Sequence, residues 1–251
     1  MQEDYTIFEE GTLPSLGKIY SKPVNPEFKI RSMTTVEEMR RLSPSNKPLK
    51  TLCEIIDDCI IKNEFGISVY DMCLADYQYL LHKLRVATYG SEYKLDVFCP
   101  FCGTKKTETI DIDSLEIFTF KDDILKLLEV DLPRTKKHVK LKIQTPRSID
   151  AIELRKKEFI KKTPDSKVDQ TLLFNLSSII DSIDDEHYDT FQLENIIRSL
   201  PMADTNAILK NSAEFSNNMG VNTEITCNCE VCGNEFRSPF LITSEFYGPR
   251  S

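Results

Sequence analysis

Eight cysteines are the side chains of this 251-residue sequence best suited to chemistry, and four of them fall into two copies of one pattern. Cys99-Pro100-Phe101-Cys102-Gly103 and Cys229-Glu230-Val231-Cys232-Gly233 are both Cys-x-x-Cys-Gly turns, zinc knuckles that aim two thiolates at one point. A tetrahedral Zn²⁺ takes four sulfurs at about 2.3 Å each, and two knuckles supply four. Cys99, Cys102, Cys229 and Cys232 are therefore the expected ligands of one structural zinc ion. Between the two turns lie 126 residues, so the ion would tie the middle of the chain to its C-terminal region. Cys227 offers a third sulfur at the second turn. The Cys229–Cys232 pair is preferred because it repeats the form of the first turn, which leaves Cys227 as a flanking residue or a substitute ligand.

A catalytic zinc keeps an open position and draws on histidine or carboxylate ligands. Here His82, His138 and His187 stand apart from both turns and form neither a His-x-x-x-His nor a His-x-Glu pattern. The His-x-Glu partner that zinc deaminases require is missing. A thioredoxin-type role needs a single Cys-x-x-Cys at a strand-to-helix junction. Neither a phosphate-cradling Gly-x-x-x-x-Gly-Lys-[Ser/Thr] loop nor a Gly-x-Ser-x-Gly elbow occurs. The acidic pairs Asp57-Asp58, Asp122-Asp123 and Asp184-Asp185 are adjacent in sequence, so on a helix their side chains diverge and read as solvated faces. The expectation is a protein that is not an enzyme.

The net charge of −8 argues against broad nucleic-acid binding, which asks for a cationic face. The clusters Lys136-Lys137, and Arg155-Lys156-Lys157 with Lys161-Lys162, read as solvated surface. A nucleic-acid-binding ribbon would rest on Lys105-Lys106 beside Phe101, a meagre set. No apolar run is long enough to span a bilayer, and the acidic start lacks the basic and apolar regions of a signal peptide. The expected setting is a reducing cytoplasm, where paired thiols bind metal more readily than they form disulfides.

The elements that must position the thiols can be read from periodicity. Tyr93, Leu95 and Val97 alternate up to the first knuckle and Thr107–Ile112 alternates after it; Thr223–Cys227 and Glu235–Ile242 repeat the plan around the second. Each is a strand, a turn and a returning strand. Upstream, residues up to Pro26 lack helix periodicity and form an arm with Leu13-Pro14-Ser15-Leu16-Gly17-Lys18-Ile19-Tyr20 at its centre. Phe28–Arg31 alternates as a strand. Thr34 or Thr35 caps a helix carrying Glu37 and Glu38. Leu49, Leu52, Cys53, Ile56, Cys59 and Ile60 mark one buried helical face, and Tyr70–Tyr89 a second helix containing Cys73 and ended by Gly90. Val139, Leu141 and Ile143 form a strand, followed by helices at about Ser148–Lys162, Val168–Ser182, Thr190–Ser199 and Asp204–Asn218, the last capped by Asp204. The fold class is α+β, a mainly helical body with two β-hairpin zinc knuckles joined as a four-cysteine zinc ribbon. The divisions are an extended N-terminal arm (1–26), a helical segment (27–90), a first knuckle hairpin (91–113), a mixed strand and helical middle (114–222), and a second knuckle hairpin with a C-terminal tail (223–251).

Several of these pieces occur together in a known order. They are the arm Leu13-Pro14-Ser15-x-Gly17-x-x-Tyr20, the segment Ile30-Arg31-Ser32-Met33-Thr34-Thr35-x-Glu37-Glu38, and the helix Asp76-x-x-Tyr79-Leu80-Leu81-x-x-Leu84-Arg85 with Tyr89-Gly90-x-x-Tyr93, closed by the two knuckles. The set resembles the baseplate family of T-even-type bacteriophages, whose members are described as baseplate hub subunits or hub assembly chaperones. The resemblance runs from the arm to the second knuckle; the helical middle, from about 120 to 220, contributes little. It implies a protein without a reaction of its own that helps build the central hub of a contractile tail. Its partners would be phage baseplate hub proteins, with no nucleic acid and no membrane. It would reside in the host cytoplasm during assembly, or in the virion's baseplate as a permanent subunit. Leu13, Pro14, Leu16 and Tyr20 are the candidate partner-binding residues, if the arm docks a partner and does not strap the chain's own body.

Overall fold

The computed structural model describes residues 6–61, 65–239 and 246. The first five residues of the arm, positions 240–242 of the expected return strand and most of the tail lie outside them.

The arm begins with β1 (Phe8–Thr12), which pairs antiparallel with β2 (Glu27–Arg31), Phe8 opposite Arg31 and Thr12 opposite Glu27. Phe28 and Ile30 alternate inward from β2. Next comes α1 (Thr35–Leu42), closed by a capping box between Thr34 and Glu37. The helix α2 (Pro48–Cys59) buries Cys53, Ile56 and Cys59 of the expected face, with Ile60 just beyond it, while Leu49 and Leu52 are half-buried and Ile55, outside that face, is buried as well. A 3₁₀ turn at Val69–Asp71 precedes α3 (Leu74–Tyr89). The expected start at Tyr70 is thus four residues early. Cys73 does not lie within the helix but caps it, its sulfur accepting from the Asp76 amide at 3.4 Å. Gly90 ends α3 with φ of 82°, a conformation open to glycine.

The first knuckle joins β3 (Glu92–Phe98) to β4 (Lys105–Asp111), with Tyr93, Leu95 and Val97 turned inward. Short β5 (Ile117–Phe118) leads through a 3₁₀ segment at Asp122–Leu128 into β6 (Glu129–Asp131) and β7 (His138–Leu141). The helices α4 (Pro146–Lys162) and α5 (Thr171–Ile179) follow. The helix expected to continue to Ser182 stops at Ile179, and the chain enters β8 (Ile180–Ile183), which pairs with β7. Asp184 and Asp185, with φ of 53° and 64°, then form a two-residue turn between Ile183 and Glu186. Positive φ at both central residues is the type I′ geometry. These two carboxylates are exposed but engaged, with Lys137 and the His138 amide on Asp184 and with Lys140 on Asp185.

Helix α6 (Thr190–Ser199) matches its expected bounds, and α7 (Met202–Asn217) begins two residues earlier than read. Asp204 is not its cap. The carboxylate lies inside the first turn and accepts from the amides of Arg134 and Thr135, at 2.7 and 2.9 Å. A short β9 (Gly220–Val221) pairs with β5, and the second knuckle joins β10 (Glu224–Asn228) to β11 (Glu235–Pro239). The architecture is α+β, with helices carrying small antiparallel sheets of two or three strands.

Three apolar clusters hold these pieces. One gathers the arm, α2, α3 and the inner faces of both knuckle hairpins, with Leu13, Ile30, Ile55, Ile56, Leu80 and Ile112 fully enclosed. A second lies within the middle, between β6–β8 and the faces of α5, α6 and α7. A third, built from Cys73, Ala75, Phe120, Ile124, Phe215 and Met219, lies between the other two.

The arm crosses this third cluster. Leu13, Pro14 and Ser15 are buried, while Leu16 and Tyr20 are half-buried. The Asp76 carboxylate, itself fully enclosed, accepts from the Ser15 amide at 2.9 Å and from the Ser15 and Tyr20 hydroxyls at 2.5 Å each. Gly17, with φ of 69°, permits the turn between these contacts, since a Cβ there would stand 2.1 Å from the Val24 carbonyl oxygen. The Pro14 carbonyl accepts from the Phe120 amide at 2.8 Å, so the arm also pins the start of the middle.

Two groups in this region generate predictions. Asp76→Ala leaves the buried Ser15 amide without an acceptor, a loss of about 1–3 kcal/mol plus the two hydroxyl contacts. Asp76→Asn keeps an oxygen for that amide, and the hydroxyls can reverse, so the loss is smaller. Thermal unfolding should rank wild type, Asn and Ala in that order, and equal melting temperatures for the Ala variant and wild type would reject the strap. His82, buried in α3 and stacked on Tyr79, has its pKa pushed down to about 4 by burial, with the Lys83 cation adding to the effect. The unfolded chain then binds this proton near the ordinary value of 6.5 and the folded chain does not. Stability is complete above that value and falls as pH drops towards 4, by about 3 kcal/mol in all. Denaturant midpoints at pH 7 and pH 5 should show this fall in wild type and a flatter response in His82→Leu. Equal slopes for the two would remove His82 as the cause.

Candidate metal centre

Both knuckles are built by the same backbone bonds. In the first, the Cys99 amide donates to the Thr104 carbonyl at 2.9 Å and the Gly103 amide to the Cys99 carbonyl at 2.9 Å. In the second, Cys229 donates to Asn234 at 3.0 Å and Gly233 to Cys229 at 2.8 Å. Gly103 and Gly233 share a φ of 72°, which lets each chain reverse directly behind its second sulfur. The alternating inner faces of β3 and β10 place Cys99 and Cys229 against the apolar interior, while Cys102 and Cys232 are exposed.

The two turns meet. Cys99 Sγ lies 3.7 Å from Cys232 Sγ, and Cys102 Sγ lies 3.5 Å from Cys229 Sγ. All four sulfurs fall within 4.8 Å of one another, close enough to hold one metal ion. A tetrahedron of bonds about 2.3 Å long has edges of about 3.8 Å, so the crossed pairs stand near the spacing that such an ion imposes. The contacts are far too long for disulfides, and all eight cysteines are free. Cys227 is buried opposite Phe236 in the β10–β11 ladder and is not part of the cluster.

The surroundings favour thiolates at Cys229 and Cys102 and oppose one at Cys99. Amides of Val231 and Cys232 are directed at the Cys229 sulfur and lower its pKa. Thr104, by hydroxyl and amide, draws Cys102 down to about 6. At Cys99 burial dominates and pushes the thiol up to about 11, although amides of Cys102 and Phe101 work against it. A bound cation would reverse that remaining penalty. Lys106 of β4 joins the hairpins from outside, its ammonium 2.8 Å from Glu230 in the second knuckle and 3.0 Å from Glu108.

The four candidate ligands are thus brought together. The candidate partner-binding residues Leu13, Pro14, Leu16 and Tyr20 take no part in this centre; they belong to the arm and make the contacts already described. Sequence reasoning missed Ser15 and Asp76 as a bonded pair, although both stand in the patterns quoted above. Arg85 donates to the Gly90 carbonyl at 2.7 Å and to the Glu92 carbonyl at 3.3 Å, and lies over the rings of Tyr89, Tyr93 and Phe246. It fixes the entry from α3 into β3, and with it the position of the first knuckle.

Among the described residues no helix is long and apolar enough to cross a membrane. Neither the curated proteins nor the solved structures compared with the chain yield a match. The model of the T4 bacteriophage base plate protein family does match, over residues 5–242, from the arm through both knuckles and the helical middle between them. The chain belongs to the T4 bacteriophage base plate protein family.

Proposed function

We propose that this protein is a non-enzymatic assembly factor of the phage tail that holds a subunit of the baseplate's central hub until its neighbours arrive, and that Zn²⁺ bound by Cys99, Cys102, Cys229 and Cys232 staples its fold. Family membership over residues 5–242 supports a role in the baseplate, with other baseplate proteins as partners. The observation that carries the structural role of the metal is the all-sulfur cluster. Four thiolates complete a tetrahedron and leave no position for a substrate or an activated water. The knuckle tips favour a protein partner over a substrate, because Phe101 and Val231 occupy matching places in the two turns and are 64% and 71% exposed. The arm acts as a strap on the chain's own body. Leu13 and Pro14 serve the interior, and Leu16 and Tyr20 are the arm residues with surface left to offer a partner.

Two measurements test this reading. Cys99→Ser and Cys232→Ser should each lower zinc content and the melting temperature, because metal binding energy is folding energy, roughly 10–16 kcal/mol in small zinc domains. A chelator should do the same to wild type. Full zinc content with an unchanged melting temperature in both variants would dismiss the four-cysteine site. Quantitative mass spectrometry of purified virions beside infected-cell lysate tests the assembly role. The expected result is abundance in lysate and absence from particles; a fixed ratio to tail proteins in particles would make the protein a permanent baseplate subunit instead.

A further inference from the structure

The first knuckle hairpin leaves one edge of its sheet open. The Cys99 amide bonds the Thr104 carbonyl at one end of the β3–β4 ladder, and the Ile112 amide bonds the Ser91 carbonyl at the other. Bonded and non-bonded pairs alternate along an antiparallel ladder, so Lys106, Glu108 and Ile110 turn their peptide groups to β3. Those of Lys105, Thr107, Thr109 and Asp111 point away from it. The Asp111 carbonyl takes the Ser114 hydroxyl at 2.7 Å. The outward amides and carbonyls of Lys105, Thr107 and Thr109 have no partner among the described residues, and no other described element runs beside β4. Native edges are commonly closed by a proline, a bulge or a very short strand. β4 has seven residues, no proline and an unbroken register with β3. The second hairpin differs. Its ladder, set by the bond from the Cys229 amide to the Asn234 carbonyl, turns Pro239 of β11 outward, where no N–H is on offer.

The sequence of β4 says what fits this edge. Laid antiparallel to itself about a two-fold axis through Glu108, the strand sets Lys105 opposite Asp111, and Thr107 opposite Thr109, of the other copy. These are the residues with outward peptide groups, so Thr107 and Thr109 exchange N–H···O bonds on both sides of the axis. Their side chains share the exposed face, where opposite charges and Thr–Thr pairs are favourable cross-strand neighbours. Asp111 has no cation partner among the described residues, and the Lys105 ammonium lies 2.9 Å from Asp96. On the other face the two Glu108 carboxylates meet at the axis. Each is already 3.0 Å from the Lys106 ammonium of its own chain, and that Lys106 is the diagonal neighbour of the other Glu108. A shift of two residues in either direction loses the Lys105–Asp111 pair and shortens the ladder. In the symmetric register two marginal hairpins become one four-stranded sheet.

We propose that two copies of this chain pair through the open edge of β4, antiparallel about Glu108. The inference rests on the hairpin alone and stands or falls apart from the assembly role. An edge of seven residues is smaller than a standard interface of roughly 20–30 residues a side, so the dimer dissociates on dilution. Sedimentation of the full chain over a dilution series should therefore show a monomer–dimer equilibrium. Thr109→Pro removes an outward amide and leaves the bonds to β3 whole. It should weaken the dimer by about tenfold or more, because symmetry removes two bonds at once, and keep the melting temperature near that of wild type. Glu108→Cys brings two thiols to the axis, where facing Cα atoms of a non-bonded pair stand about 4.5 Å apart, within disulfide reach. After mild oxidation, peptide mapping should return a link from position 108 of one copy to position 108 of the other. A monomer at every concentration would overturn the proposal, as would a dimer indifferent to Thr109→Pro or the absence of that link. The mapped link decides alone if the proline variant does not fold.

Discussion

Three enclosed carboxylates hold backbone amides that no neighbouring helix or strand satisfies, and the assembly of the domain depends on them. Asp76 takes the Ser15 amide from 61 positions away, Asp150 takes that of Lys50 from 100, and Asp204 takes that of Arg134 from 70. Each aspartate sits on a helix and reaches amides of a segment far from it in sequence. Asp150 is the clearest case. Helix α2 has no side-chain cap of its own, and Asp150 on α4 binds the first-turn amides of Leu49 and Lys50 together with the Tyr70 hydroxyl. A carboxylate enclosed without such partners would be strongly unfavourable, and so would the amides without the carboxylate. The contacts therefore specify which segments meet, more than they add to net stability.

At Asp76 this logic has a cost in proton affinity. Burial raises the carboxyl pKa, and the hydrogen bonds from Ser15 and Tyr20 offset it only in part. The site lies where the large N-terminal cluster and the middle cluster adjoin. Next to it Gly220, with φ of 110°, comes so close to Ala75 that a Cβ would stand 3.2 Å away. The arm, α3, the entry to the middle and the exit from it thus converge within a few residues. Two-stranded sheets are marginal alone, and the knuckle hairpins lean on the large N-terminal cluster and on Arg85 at the base of β3.

Much of this was legible in the sequence, for definite reasons. A Cys-x-x-Cys-Gly turn leaves its spacing in plain view, and alternation at Tyr93, Leu95 and Val97 fixes the inner face of β3 because the side-chain period of a strand is two. The capping box at Thr34 and Glu37 and the bounds of α6 follow from local chemistry. The errors share a cause. Leu173, Leu176, Ile180 and Ile183 keep helical spacing while the backbone changes to strand at Ile180, and an Asp-Asp pair supplies a turn that usually announces itself with glycine. Asp204 looked like a cap for its own helix because sequence shows only neighbours, whereas its true partners lie in a turn 70 positions back. Cys73 reads in the sequence as a position inside the helix, and its sulfur instead takes the N-cap place that serine or aspartate commonly holds.

The separation of the two knuckles also gives the molecule a clock. On the ribosome, Cys99 and Cys102 emerge 127 positions or more before their partners, an interval of roughly 6 to 25 s at ordinary elongation rates. During that time a bare pair of thiols waits while the whole middle is made and folds. A tetrahedron of four sulfurs can close only on a chain that has been translated through Cys232 and whose middle has brought its ends together. A truncated chain would keep one half-site and a misfolded one two that never meet, so a completed centre would mark a molecule that has passed both conditions.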